Sequence, residues 1–492
     1  MKYIIVGAGP TGLSLAYALC NGGHTVELIE KDKQLGGSWN SQWREDNFWS
    51  ENSPRILAYN NNTKKLLKQL GFKRDELSYV YGNYIKVQLK ILNSFLTSLK
   101  ISDLPKILSK IISDRFKYNN NSTVQEWLDK STLSYSAKKY IKMSSIILCD
   151  RPDKTHIKDF LHTISEFGLT TPYQFKDPNK WHNEIEEIVN NSNGSKIYKN
   201  TEVIELFEKN NSIRTVSTRD LETNETIIRD ADRVVLSCQS DGILSIINNS
   251  SNNVKNNWHN YDWMVNWCQN TYYIGFGFQL HFYEEVNFPE QWCWSCKGDW
   301  NVIILPVSEW LNKLSNDKKI KTVWSCCIVD MDSKSKNINK TANECTKDEV
   351  IEECLRQINT ENIFKLPNYY KTTTSEGVER NDGKWYSKNT GFTRSKLGYL
   401  PMRGKIDNLY ALGCFTEGKK PSVAHMGTAI NASVKFLNKY EPDVKSFHNK
   451  FNVLWTIVKL IVVLLVFFIV IKKTKNNNKF KGIFKNILKS KR

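Results

Sequence analysis

The chain has 492 residues, of which 40% are hydrophobic, 12% aromatic and 24% charged. That composition excludes disordered, collagen-like and small disulfide-stapled classes, and the length allows several domains with a large core. The formal net charge of +18 is spread as lysine along the whole chain and is densest at Lys472–Arg492, beside an apolar segment. It therefore points to a lipid surface and not to nucleic acid.

Met1 runs directly into a strand-type run, Lys2-Tyr3-Ile4-Ile5-Val6, with no signal-peptide pattern. The eleven cysteines are accordingly expected to be reduced and to face the cytosol. Gly7-Ala8-Gly9-Pro10-Thr11-Gly12 follows the strand, and Leu13, Leu15, Ala16, Ala18 and Leu19 fit a helix packed on a sheet. After Gly22-Gly23 a second strand, Thr25–Ile29, closes on Glu30. In such a unit Gly7 makes the tight turn, Gly9 lets backbone approach a pyrophosphate, and Gly12 lets helix and strand pack closely. The helix N-terminus offers unpaired N–H groups to phosphate, and an acid about twenty residues on accepts ribose hydroxyls. Dinucleotide binding is the reading.

Just beyond Glu30 and Lys31 stands Gly36-Gly37-Ser38-Trp39, where paired glycines allow the chain to pass close to a cofactor, and Lys31 and these four residues are expected to contact it. An acid followed by a Gly-Gly pair resembles the FAD-binding entry of the flavin amine oxidase superfamily, which includes monoamine and polyamine oxidases, protoporphyrinogen oxidase and phytoene-desaturase-like enzymes. The likeness continues through Trp49–Ile56, containing Arg55, and through Val124–Leu128. It extends to Thr201–Leu206, whose Val203 matches the valine that contacts adenine, and to Ala231–Ser237. Near the end, Ile406–Gly413 and Met426–Ala432 resemble the second flavin motif. There Gly413, Cys414, Gly427, Thr428 and Ala429 are implied to meet the flavin, with a helix N-terminus facing the pyrimidine end of the isoalloxazine.

Three departures qualify what the resemblance implies. Gln279 stands where amine-oxidising members carry a lysine that holds a water near flavin N5, which turns attention to a desaturase or dehydrogenase. Cys414 replaces an acid, with Glu417 as a possible substitute. The stretch Thr390–Tyr399 has no cysteine for covalent attachment, so FAD is expected to be noncovalent. Tyr399 is the implied wall of an aromatic cage before the flavin, and with Gln279 it forms the catalytic candidate set. Arg55 would face the flavin or diphosphate. His281 and His425 read as packing residues before acid–base groups, and the tryptophans Trp292, Trp294 and Trp300 as core before cavity lining. Cys293-Trp294-Ser295-Cys296 has metal spacing but no second pair at zinc-finger distance, so it reads as a strand and no metal is expected.

The expected fold class is α/β: a discontinuous Rossmann-type FAD domain with an α+β substrate domain and a C-terminal transmembrane helix. The FAD domain comprises residues 1–75, 196–245 and 400–440. The substrate domain comprises 76–195, mainly helical, and 246–399, which supplies a sheet from the alternation in Tyr272–Tyr283 and Val302–Val307. Asparagine-rich stretches at 119–121, 190–193 and 248–253 mark boundaries. No second glycine motif for a nicotinamide appears, which counts against flavin monooxygenases and disulfide reductases. Residues 453–471 are apolar apart from Thr456 and Lys459 and reach roughly 28 Å as a helix, close to a bilayer core of about 30 Å. Trp455 and Lys459 suit the interface. Residues 472–492 form a basic amphipathic tail for an anionic surface.

The expected activity is that of a membrane-anchored FAD oxidoreductase with its enzyme domain cytosolic. It would transfer a hydride from an amine, or from a lipophilic substrate in the desaturase version, to flavin N5, with oxygen or a quinone as acceptor. A noncatalytic flavin-fold scaffold on the membrane is the competing class.

Overall fold

The computed structural model divides the chain into two units, Met1–Phe447 and His448–Arg492. It describes the first apart from residues 45–47, 52–55, 59, 81–97, 101, 104, 108, 111–121, 148–150, 162, 164–171, 270, 273–275, 289–293, 297, 312–318, 361–364, 368–369, 375–377, 388–393, 396–397, 417–424 and 446. Residues 448–492 lie outside the described set. Among the described residues no helix is long and apolar enough to cross a membrane. The transmembrane expectation at 453–471 and the tail at 472–492 fall outside them, as do Arg55, Trp292, Cys293 and Glu417.

The chain opens as read from sequence: β1 (Lys2–Val6), α1 (Pro10–Asn21) and β2 (Thr25–Ile29). Three distant strands, β3 (Lys196–Tyr198), β4 (Arg233–Leu236) and β5 (Leu409–Ala411), complete a five-stranded sheet in the order β5-β4-β1-β2-β3. Every pairing in it is parallel. A parallel sheet is covered on both faces, so its strands read as unbroken apolar runs. The two-residue alternation then sorts them. Tyr3, Ile5, Val26, Leu28, Val235 and Tyr410 enter one core cluster with α1, while Ile4, Val6, Ile29, Val234, Leu236 and Leu409 enter the other.

The helix Lys180–Asn191 and the strand Pro172–Phe175 lie within the stretch read as substrate domain. They send Phe175, Trp181, Ile185 and Val189 into the first cluster. Likewise Val254, Trp258, Met264 and Trp267, from 246–269, enter the second. Asn248–Asn253 is no loop: one helix runs to Asn249 and the next starts at Asn252, with the Ser251 side chain capping it at Val254. Asparagine tolerates such helix ends, so its abundance did not mark a boundary here.

The second sheet is antiparallel and built from Trp294–Ser295, Val302–Leu305, Thr322–Ile328, Gly277–Phe282 and Tyr370–Thr374, in that spatial order. Phe278, Leu280, Val302, Ile304, Trp324 and Cys326 pack with Val350, Cys354 and Ile358 of the helix Lys347–Thr360. Trp294–Ser295 is a short strand, and Cys296 after it is fully buried. Among the described residues no cluster of metal-ligand side chains occurs. The helices Val124–Lys130 and Tyr135–Ile147 form a separate small core around Val124, Ile141, Ile157 and Phe160.

Candidate functional site

The site begins where β1 ends. Gly7 has φ +99°, and an added Cβ there would lie 2.8 Å from the Cys238 amide nitrogen, so close approach and backbone sign both demand glycine. Ser237 donates from Oγ to the Val6 and Gly7 carbonyls at 2.9 Å each, pinning the turn to the end of β4. Gly9 caps α1, Pro10 occupies the first helical position, and Leu13 N donates to Gly9 O at 3.0 Å. Proline is suited to that place because its missing N–H is one that a helix start leaves unpaired anyway. A Cβ on Gly12 would fall 2.0 Å from Gly7 O, whereas one on Gly9 would meet nothing within 4 Å. One glycine is filled by protein and the other opens onto space.

The second glycine pair backs onto the first loop. Gly36 (φ +101°) donates its N–H to Ala8 O at 2.9 Å, and a Cβ on Gly37 (φ +53°) would lie 3.0 Å from Gly9 Cα. The next residues, with Ser38 and Trp39, turn a short 3-10 helix, Gly37–Trp39. Trp39 is buried edge-on against Phe175, with ring centroids 6.0 Å apart.

Glu30, at the carboxyl end of β2, is buried and accepts from the Ala8 amide and from the Asp32 amide, the latter at 2.9 Å. Burial raises its carboxyl to a pKa of about 7, against the opposing effect of those amides. The strand carrying Val203 starts beside it, with Thr201 N donating to Glu30 O at 2.8 Å. The Val203 side chain enters the second core cluster. Lys31, read as a cofactor contact, is exposed and its ammonium pairs with Glu202 Oε1 at 2.6 Å.

A second helix start converges on the first. Here α3 (Met426–Tyr440) meets both α1 and α2 (Asn61–Gln69). Thr11 Oγ1 donates to Ala429 O at 3.2 Å, Ser433 Oγ donates to Thr11 O at 2.8 Å, and Ser14 Oγ lies 2.9 Å from Ser433 Oγ. Asn62 Nδ2 donates to Asn431 Oδ1 at 2.8 Å. Gly427 must be small because an added Cβ would lie 2.4 Å from Asn60 Nδ2. His425 caps α3, its Nδ1 accepting from Gly427 N at 3.0 Å, so that nitrogen is unprotonated and the ring has a capping role. The first turns of α1 and α3 carry no acidic residue, leaving both positive dipole ends uncompensated. Gly413 follows β5 and is packed by the Phe415 ring, while Cys414 Sγ approaches His425 O at 3.8 Å. Thr428 belongs to the first turn of α3.

The two catalytic candidates are held by other elements. Gln279 is fully buried in the antiparallel sheet; its Nε2 donates to Glu51 O at 2.9 Å, and its Oε1 accepts from Thr373 Oγ1 at 3.4 Å. His281, two residues along, accepts from Trp49 N at 2.8 Å. These side chains hold the strand Trp49–Glu51 against the sheet. Tyr399 is half-buried and donates its hydroxyl to Asp159. Trp300 is fully buried and donates to Ser333 O at 2.9 Å, so it is a core residue. Sequence reasoning missed Ser237, Ser433 and Asp159. The first two gave no signal, since a lone serine has none, and Asp159 acquires its partner only across 240 residues.

A family model for an NAD(P)-binding Rossmann-like domain matches residues 5–70. Among curated proteins, an L-amino acid oxidase of Bothrops pictus is 26% identical over 147 residues, covering 28% of this chain and 29% of that protein. A 4,4'-diapophytoene desaturase (4,4'-diaponeurosporene-forming) of Staphylococcus haemolyticus (strain JCSC1435) is 30% identical over 97 residues, covering 18% of this chain and 19% of that protein. Each match thus spans less than a third of the relative's length. The solved structure of cyclohexylamine oxidase from Brevibacterium oxydans IH-35A aligns with a TM-score of 0.55 at 13% identity, covering 89% of this chain and 99% of that one. The start of the chain thus has the sequence pattern of an NAD(P)-binding Rossmann-like domain, and the described residues have a fold similar to that of the solved cyclohexylamine oxidase.

Proposed function

We propose that the chain is an FAD-dependent oxidoreductase that removes a hydride from the carbon beside an amine nitrogen. The observation that carries this reading is the open face of Gly9, set between a docked second glycine pair, an uncompensated helix N-terminus and the buried Glu30 carboxyl. A diphosphate suits the backbone N–H groups of Thr11 and Gly12, which lie in the first turn of α1. Glu30 suits the ribose diol, and the start of α3 suits the flavin pyrimidine. Bound FAD supplies the two-electron acceptor, and the absence of a cysteine in 390–399 makes it noncovalent. The chain's own residues bind and orient it. Neither His281 nor His425 is placed as a base, since the one supports a strand and the other caps a helix.

Gln279 favours a second reading. Its neutral amide, engaged by Glu51 and Thr373, brings no cation to the substrate side, which suits dehydrogenation of a lipophilic substrate. In both readings the apolar stretch 453–471 anchors the chain to a membrane with the described unit facing the cytosol, and oxygen or a quinone reoxidises the flavin. The test is anaerobic mixing of the FAD-loaded chain with amines and with prenyl or polyene compounds. Bleaching by an amine supports the first reading, bleaching by a polyene alone the second, and bleaching by neither contradicts both.

A further inference from the structure

Asp159 lies in the helical segment that starts at Ile157, beside the small helical core. His156 bridges to Thr123, Ile157 N donates to Ser122 O at 3.0 Å, and Val124 N to Thr155 O at 2.8 Å. Ile157 and Phe160 on either side are buried in that core, so the position of Asp159 is fixed by packing. Asp159 as a whole is only 7% exposed. Among the described residues, the one side-chain donor it receives is the Tyr399 hydroxyl. A carboxylate has about four acceptor positions. Burying one against a single neutral donor is unfavourable unless a cation arrives.

Tyr399 in turn is held at the carboxyl end of the parallel sheet. Leu400 N donates to Phe415 O at 3.0 Å, Leu400 bridges to Thr416, and Trp267 Nε1 donates to Gly398 O at 3.1 Å. Phe415 and Thr416 belong to the segment leaving β5, and open parallel sheets bind their ligands outside the carboxyl ends of the strands. A carboxylate that receives one side-chain donor among the described residues, beside a phenol ring at that end, has the chemistry of an ammonium receptor, because the carboxylate supplies charge and the ring a negative face.

We propose that Asp159, aligned by Tyr399, receives the cationic head of the substrate and so determines that the chain acts on amines in their protonated form. This inference rests on the oxidoreductase reading and deepens it. It is tested on the FAD-loaded full chain with two unreactive probes of the same shape, benzyltrimethylammonium and its neutral isostere neopentylbenzene. Binding is read from perturbation of the flavin spectrum and from thermal shift. The wild type is expected to prefer the cation, and Asp159→Asn to weaken cation binding on the order of tenfold or more while leaving the isostere and the FAD content unchanged. Tyr399→Phe, which keeps the ring and the carboxylate, is expected to lose less. Equal binding of both probes by the wild type, or unchanged cation preference in Asp159→Asn, overturns the proposal even where FAD is bound. If Asp159→Asn does not fold, the wild-type preference and its reduction in Tyr399→Phe decide the matter. A chain that takes up no FAD instead overturns the oxidoreductase reading.

Discussion

At Gly9 an added Cβ meets nothing, while at Gly12 it would fall 2.0 Å from the Gly7 carbonyl oxygen. The two glycines of one motif therefore make opposite predictions. Gly9→Ala keeps the fold, because φ −75° is open to any residue, yet its methyl enters the cradle. An overpacking cost of about 1–3 kcal/mol on the bound state weakens FAD roughly 5- to 150-fold. Gly12→Ala instead strains α1 against β1 and lowers the melting temperature of the protein itself. Fluorescence titration with FAD and thermal unfolding of both variants separate the two effects. Glu30 makes a pH prediction. Its carboxyl is raised by burial from 4.5 to about 7, so its contribution to apoprotein stability is fully present below pH 4.5 and is lost as pH rises through about 7. A ribose diol donates to the ionised form, so FAD affinity rises over the same upper range. Titration at pH 6 and pH 8 is expected to show tighter binding at pH 8 in the wild type, and a flat response in Glu30→Gln. An FAD affinity that falls with pH contradicts the role given to Glu30.

Between elements, the relation of α1 to α3 rests on Thr11, Ser14 and Ser433. Ser433→Ala removes one donor to Thr11 O, which keeps the Ser14 hydroxyl at 3.1 Å, and removes the contact with Ser14 Oγ. It is expected to cost about 0.5–1.5 kcal/mol in unfolding free energy. Because both helix starts face the cofactor site, FAD binding should weaken with it. Retained affinity in a destabilised variant would show that the pairing is only structural. This junction also shows where sequence reading ends. The first unit was legible because β1, α1, β2 and Glu30 are local, and each carries its own periodicity or backbone signal. The convergence of α3 on α1 joins Thr11 to Ala429, and no local pattern in either segment names the other. Gln279 was legible as a buried strand residue, but its attachment to Glu51 O depends on a strand more than two hundred residues earlier. Lys31 follows Glu30 directly, yet its exposed side chain has Glu202 within reach and turns outward.

Across the whole molecule, a discontinuous FAD domain was what the resemblance implied, and three strands far apart in sequence do join the first two in one parallel sheet, while the helix Lys180–Asn191 packs on the first core although its apolar stripe names no partner. The unit Met1–Phe447 holds all the residues assigned to the cofactor, and Asp159 with them. A chain ending at Phe447 is thus expected to keep FAD affinity and to lose co-flotation with vesicles containing anionic lipid, whereas the full chain floats. Flotation of both forms alike removes the anchoring role given to 453–471. The central claim is that this fold holds FAD noncovalently. It is tested most directly by the absorption spectrum of the full chain after incubation with FAD and desalting, before and after acid precipitation. Flavin bands that follow the protein through desalting and then pass wholly into the acid supernatant are the predicted result. A folded chain that retains no flavin contradicts the account and leaves a membrane scaffold in its place.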